Sequence, residues 1–444
     1  MLVLTLSTDV WCGAHDGVQS DPLVSSGRFA LRVPDATLFL YASKKTTTMA
    51  NDTLDTVLIV EPNFTGHRWR YAEWAAAAYM EAGYRCVIVT DPANAAHSLA
   101  VRITRENRPE LQIQFVEPLV HGRSGLAKVS YVRFFRDFKH AFDAASRNRK
   151  IALVVVPYVD YFFYSLPFTG SPFGATPWVG ITMRANFHHA KVGVKAPREP
   201  LVNAIKAQLF QRAIRTPGLK TLLTIDPTLT EWCTRAGHQA ARSAAVQYLA
   251  DPFPDAKAAE PLAARQRLGL GTGKHVLVYG AITERKGIQE LVAALAQRAG
   301  TDQPTLVVAG AQDDETRAFF ASAGALSPPA VFMDRFITAE EELDLFSACD
   351  VVWLGYKGHY GMSGVLVQAY RFGKPVVATA DGLIGWFCRT GELGPVVEDL
   401  SVASINRAFD KVFGEHPSTA PAGPHLLERN TLSHFKQTLR QAIV

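Results

Sequence analysis

The segment "VLVYGAITERKGIQELVAAL", Val276–Leu295, decides how the rest of the chain reads. A predicted strand ends at Gly280, a short loop presents Glu284, Arg285 and Lys286, and a predicted helix starts at Gly287. In a doubly wound sheet, ligands sit beyond the carboxyl ends of the strands. Two cations beside the free N–H groups of a helix start suit a diphosphate there. A solvated charged loop has the same composition, so spacing alone leaves both readings open.

The same alternation continues outward from this segment. After it come the strand candidates "TLVVAG" (305–310), "AVFMDRF" (330–336), "VVWLGY" (351–356) and "PVVATA" (375–380). Helical patterns lie between them at 339–350 and 365–373. Before it, "TVLIVEP" (56–62), a helical run at 66–83 and "RCVIVTDP" (85–92) form a β-α-β unit. Further strand candidates follow at 113–119, 151–158, 178–183 and 221–226. Near-continuous Val, Ile and Leu marks strands buried on both faces, as in parallel sheets covered by helices. The expected fold is therefore α/β, with two doubly wound, Rossmann-like domains facing a cleft.

Expected boundaries follow from composition. Residues 1–50 show no sustained periodicity and read as a poorly ordered extension, with Met49 resembling a natural chain start. The first domain spans 51–250 and the second 251–412, joined by a proline-bearing linker at 251–270. The tail, 413–444, is rich in Pro and Gly before a short helix at 432–443.

The composition excludes several classes. A formal charge of +5 over 444 residues is too dilute for a nucleic-acid footprint, though it suits an acidic substrate or an anionic membrane surface. Five scattered cysteines without a CxxC pair point to reduced thiols in a cytoplasmic protein, not to a disulfide framework or a zinc site. No apolar run reaches the ~18–20 residues of a membrane span.

The Val276–Leu295 segment resembles the turn of retaining GT-B glycosyltransferases of the family 4 type. So does "DLFSACDVVWLGY…GMSGVLVQAYRFGKPVVATADGLIGW", Asp344–Trp386. The resemblance is firm over about 275–412, weaker over 56–90 and faint between 91 and 250. It implies a nucleotide-diphosphate sugar as donor substrate, with no further cofactor, and a glycan or lipid-linked acceptor. It also implies that Arg285 and Lys286 grip the donor diphosphate, and that the tail returns to the first domain. Fixed cations aimed at the leaving diphosphate lower the barrier, one such donor being worth roughly 3–4 kcal/mol by analogy with oxyanion holes. No Asp-x-Asp triplet occurs in the chain, so no metal bridge is expected. Donor contacts are expected from Gly280, Glu284, Gly361, Met362, Ser363, Gly364, Val365 and Gln368, with Ser363 as the N-cap of a helix. The family carries two glutamates where this chain has Tyr360 and Gln368. Gln368 can still accept one ribose hydrogen bond but lacks the charge. Tyr360 re-shapes the sugar contact.

The first half offers fewer candidates. Gly66 and His67 follow the first strand, where His67 can touch a phosphate or act as a local cap. Arg68 and Arg70 read as a solvated face. Asp160 follows a strand and can orient an acceptor hydroxyl or cap a helix. Arg184 follows the next strand and is an acceptor candidate. His188 and His189 are adjacent, so they are expected to point apart and not to form a metal motif. "GLGTGKH" (269–275) lacks the spacing of a phosphate loop, and "AQDDETR" (311–317) reads as a capped, solvated helix start.

The expected function is transfer of a sugar from a nucleotide-diphosphate sugar to a glycan or glycolipid hydroxyl, with retention and without metal. The rivals are a nucleotide-sugar isomerase or hydrolase on the same fold, and a non-catalytic carbohydrate- or nucleotide-binding protein. A nicotinamide-dependent dehydrogenase is disfavoured because no Gly-x-Gly-x-x-Gly follows a predicted strand.

Overall fold

Short β-branched runs build two all-parallel sheets in the computed structural model. It describes residues 55–66, 68–119, 130–235, 243–252, 257–298, 303–322, 328–414 and 427–443. The first sheet contains β1 (Thr56–Val60), β2 (Arg85–Thr90), β3 (Leu111–Phe115), β4 (Ile151–Val156), β5 (Trp178–Thr182), β6 (Leu219–Thr224) and β7 (Ala245–Tyr248). Its strand order is β3-β2-β1-β4-β5-β6-β7. The second contains β8 (His275–Tyr279), β9 (Thr305–Ala309), β10 (Ala330–Met333), β11 (Val351–Leu354), β12 (Val376–Thr379) and β13 (Val396–Val397), in the order β10-β9-β8-β11-β12-β13.

Each sheet reverses its winding once. The first does so between β1 and β4, and the second between β8 and β11, which pair directly in parallel. Crevices at such reversals are where doubly wound sheets bind ligands. The central strands carry the core: every residue of β1, β5, β11 and β12 is buried. Helices cover both faces, as this two-sided burial requires.

Two expectations change here. The segment 251–270 is not linker throughout, because Pro261–Leu268 is a helix. It is pinned by Arg265 to both carboxylate oxygens of Asp350, at 2.8 and 3.0 Å, and by Arg267 to Asp344. The isolated sequence showed only its prolines, whereas the partners lie 85 and 77 residues downstream. β7 was also not foreseen: "AVQY" is too short and polar to announce itself, and it forms by pairing with β6.

The helix Leu432–Gln441 packs on the first domain. Phe435 is fully buried between Tyr71 and Trp74, Tyr79 Oη donates to the Leu439 carbonyl at 3.0 Å, and Thr221 Oγ1 donates to the Ala442 carbonyl at 2.8 Å. Tyr71 also donates to Asp251, at the start of the crossover between the sheets, and Asn430 donates to the Asp251 carbonyl at 2.7 Å. Burial raises the Asp251 carboxyl to about 6, so at neutral pH it is largely ionised and a strong acceptor for that tyrosine. Residues 1–50 lie outside the described residues.

Candidate active site

The turn after β8 is built by close backbone contact. Glu284–Lys286 makes one 3-10 turn, and Gly287 then adopts φ +62 before the helix Ile288–Ala296. A Cβ at Gly287 would lie 2.3 Å from the Gly355 carbonyl oxygen, so only glycine lets the turn reach the end of β11. Three bonds hold it there. Trp353 Nε1 donates to the Lys286 carbonyl at 2.7 Å, the Lys357 N–H donates to the Arg285 carbonyl at 2.7 Å, and Lys357 Nζ lies 3.4 Å from Glu284. Lys357 also pairs with Glu290 at 2.7 Å. Glu284 is thereby engaged as a latch between the two loops.

This latch fixes the two cations at the β8/β11 reversal. Lys286 Nζ donates to the Tyr279 carbonyl at 2.5 Å and to Tyr356 Oη at 3.0 Å, and an added Cβ on Gly280 would lie 3.5 Å from it. The Arg285 guanidinium is held below its usual pKa by burial and by the nearby charge of Arg184. Arg184 follows β5 in the other sheet. The carboxyl edges of the two sheets therefore meet at these arginines.

The β11 loop closes over the cations. His359 stacks edge-on against Tyr356, with ring centroids 5.6 Å apart, and its Nε2 lies 3.2 Å from the Met362 carbonyl. Its pKa is lowered, first by burial and also by the charges of Arg285 and Lys286. His359 is thus neutral at pH 7, and its Nε2–H donates to Met362. Sequence reasoning passed over it, although it lies between Tyr356 and Gly361, two residues of the family-like segment. Gly361 is half-buried, Met362 and Ser363 are buried, and Gly364 and Val365 open the helix Gly364–Arg371. Ser363 holds the N-cap position, but its side chain makes no capping bond, which corrects that expectation. Gln368 is 5% exposed one turn into the helix. The Leu383 N–H donates to the Tyr360 carbonyl, and a Cβ on Gly382 would lie 2.4 Å from the Tyr360 Cα, so the loop abuts the next helix start without space between them.

The first sheet contributes its own cluster at the β1/β4 reversal. Glu61, directly after β1, is fully buried. It accepts from the Asn63 N–H at 3.1 Å and from Tyr161 Oη at 3.2 Å, while its Oε2 has no hydrogen-bond partner. Burial pushes its pKa to about 8 against the opposing charge of Arg68. Arg68 Nη1 donates to Tyr161 Oη at 2.6 Å, and its guanidinium lies over the rings of Tyr158 (4.6 Å) and Tyr161 (5.2 Å). The solvated-face reading fails for Arg68, because neighbouring aromatic rings from the β4 loop, invisible to local pattern, cover it. Arg70 is half-buried, with its guanidinium 5.3 Å from the Trp69 ring centroid.

Asp160 sits in the 3-10 turn after β4, and its oxygens reach across to β5. It accepts from Thr182 Oγ1 at 2.6 Å and from the Met183 N–H at 2.8 Å. Burial raises its pKa, and those two bonds oppose the rise. The carboxylate therefore fixes the segment that carries Arg184 and caps no helix. Gly66 adopts φ +64 at an exposed turn, and His67 lies outside the described residues.

His188 and His189 do not point apart. Both Nε2 atoms lie 3.0 Å from Asp226 Oδ2, because the pair sits where an irregular loop meets a 3-10 turn, away from regular helix or strand. This buried group has the composition of a metal set, its ligand atoms falling within 4.8 Å of one another. Metal-bound histidines usually donate their second ring nitrogen to an outer partner. Here both Nδ1 atoms lack one, and Asp226 is already supplied by Thr228 as well as by both rings. Hydrogen bonding accounts for the cluster: both rings donate through Nε2 to Asp226, holding its carboxyl below its usual range despite its burial.

With this geometry described, the likeness to known proteins can be placed. Residues 263–420 match the family described as "Glycosyl transferases group 1". A sucrose-phosphate synthase from Thermosynechococcus elongatus has a similar structure, with a TM-score of 0.63 at 17% identity, over 88% of this chain and 98% of that one. Anabaena Alr3699/HepE in complex with UDP and glucose gives 0.57 at 15%, over 88% and 99%. A glycosyltransferase from Rickettsia africae ESF-5 gives 0.58 at 12%, again over 88% and 99%. No curated sequence relative matches the chain. The two-sheet architecture is the GT-B fold. The likeness to the group 1 glycosyl transferases lies in the second domain.

Proposed function

We propose that the protein moves a sugar from a nucleotide-diphosphate sugar to a hydroxyl of a glycan or glycolipid acceptor, with retention of anomeric configuration and without a metal ion. The carrying observation is the Arg285–Lys286 turn, sewn to the β11 loop at the reversal of the second sheet. Alr3699/HepE, similar in fold, is described in complex with UDP-glucose, which supports a uridine nucleotide as the first donor to try.

In this reading the donor diphosphate lies against Arg285, Lys286 and the start of the helix Gly364–Arg371. As the sugar–phosphate bond breaks, negative charge grows on the diphosphate, and the two fixed cations stabilise it. The acceptor hydroxyl attacks from the face that the phosphate leaves, and the departing phosphate oxygen takes the hydroxyl proton. No carboxylate base is required, which suits the engagement of Asp160 by Thr182 and Met183. Gln368 lies near the ribose and Tyr360 near the sugar.

No helix among the described residues is long and apolar enough to cross a membrane. A lipid-linked acceptor would be met from the cytoplasmic face, by peripheral association. Mass spectrometry of the protein incubated with UDP- and GDP-sugars and a glycan and glycolipid panel tests the reading. Release of one nucleoside diphosphate with a retained α- or β-linkage is expected. An inverted product contradicts the mechanism, and isomerised or merely hydrolysed donor in every mixture contradicts the transfer.

A further inference from the structure

The β1/β4 reversal holds an arrangement that donor binding does not explain. Arg68 and Arg184 come from different loops, after β1 and after β5, yet both guanidiniums lie against one ring, that of Tyr158, at 4.6 and 5.5 Å from its centroid. Like charges at one ring repel, and an anion bound beside them relieves that repulsion. Among the described residues neither arginine forms an ion pair with a carboxylate. The nearest acidic groups are poor counter-charges. Glu61 is fully buried behind Tyr161, and both Asp160 oxygens are occupied by Thr182 and Met183. Arg68 is half-buried and already oriented by its bond to Tyr161, so it loses little freedom when it binds. Arg184 is exposed and faces Arg285, so the positive surface continues toward the diphosphate grip.

Resting on the glycosyl-transfer reading, we propose that the acceptor carries a phosphate group, gripped by Arg68 and Arg184 beside Tyr158. Guanidinium forks match phosphate oxygens in pairs, and two guanidiniums with no direct ion pair among the described residues, facing one carboxylate already bonded to Thr182 and Met183, leave positive charge for a phosphomonoester or diphosphate. The ring of Tyr158, 4.6 and 5.5 Å from the two guanidiniums, favours both cations through its π face. Two sources supply such a group next to a sugar hydroxyl: a free sugar phosphate, or a sugar linked to a lipid through diphosphate. The shared chemistry is the phosphate.

The test is calorimetric titration of the full-length protein saturated with UDP or GDP, whichever binds, so that the donor cations are already occupied. The probes are glucose, glucose 6-phosphate, and a short-chain prenyl-diphosphate glucose beside its prenyl glucoside. At least one phosphate-bearing probe is expected to bind ~10-fold or more tighter than its neutral counterpart, equivalent to about 1.4 kcal/mol. That advantage is expected to vanish in Arg68→Gln and in Arg184→Gln, and Arg68→Lys, which keeps charge but loses the fork, should restore part of it. The tighter of the two phosphate probes identifies the source. Equal binding of charged and neutral probes, or an advantage that survives both glutamine substitutions in variants melting like the wild type, overturns the proposal. Failure of both UDP and GDP to bind would instead strike the donor reading, so the two failures are distinguishable.

Discussion

The two sheet reversals share strand order and differ in chemistry. At β8/β11 the loops present Arg285 and Lys286, with backbone bonds and one tight glycine fixing the cations. At β1/β4 the loops enclose a fully buried glutamate, Glu61, behind Tyr161, with Arg68 lying across the aromatic rings. One topology thus makes a rigid cationic grip at one reversal and a buried proton-bearing group at the other. The difference arises in the residues just past the strand ends, not in the strands, whose Val- and Leu-rich cores are interchangeable in kind.

Several variants would break or sharpen this contrast. The largest effect belongs to the cationic grip: Arg285→Ala and Lys286→Ala should each lower turnover by at least ~100-fold in steady-state assays, on the scale of a lost oxyanion donor. Unchanged turnover would remove that residue from the site.

The buried carboxyl should appear in the pH dependence of stability. The folded-state pKa of Glu61 is raised from 4.5 to about 8, so its contribution is full below 4.5 and is lost as pH rises through about 8. Glu61→Gln cannot ionise, so from pH 5 to 8.5 its melting temperature should fall less than that of the wild type. Parallel pH profiles would mean that Glu61 titrates normally.

Tyr161→Phe removes the hydroxyl that accepts from Arg68 and donates to Glu61. A loss of roughly 1–3 kcal/mol in denaturant unfolding is expected, since Arg68 Nη1 loses its acceptor and buried Glu61 keeps only the Asn63 N–H. Little change would mean that Glu61 and Arg68 do not depend on this bridge. The smallest effect expected is that of Gln368→Glu, which should hold or tighten nucleotide binding, by no more than about tenfold for one charge-assisted bond. Identical affinity in both would place Gln368 away from the ribose.

Much of the fold could be read from the sequence because parallel strands announce themselves: "TVLIV", "HVLVY" and "VVWL" are continuous apolar runs between helical patterns. The Arg285–Lys286 turn was readable for a similar reason, since strand, loop and helix start lie within twenty residues. What escaped was assembled from distant segments. Glu61 gains its raised pKa through burial in the assembled fold, where its hydroxyl partner Tyr161 comes from a hundred positions away. Arg68 loses its solvated face to rings from the β4 loop. His188 and His189 converge because Asp226, beyond the next strand, draws both. His359 lies inside the family-like segment, but its surroundings depend on meeting cations from the β8 turn.

The most direct measurement of the central claim is a thermal-shift titration with UDP, GDP and NAD on the wild type, Lys286→Ala and Glu61→Gln at pH 7. The account predicts that UDP or GDP stabilises the wild type and Glu61→Gln alike, by about 2.7 kcal/mol at a hundred times Kd, and stabilises Lys286→Ala far less. Stabilisation by NAD alone, or an equal nucleotide shift in Lys286→Ala and wild type, would contradict it.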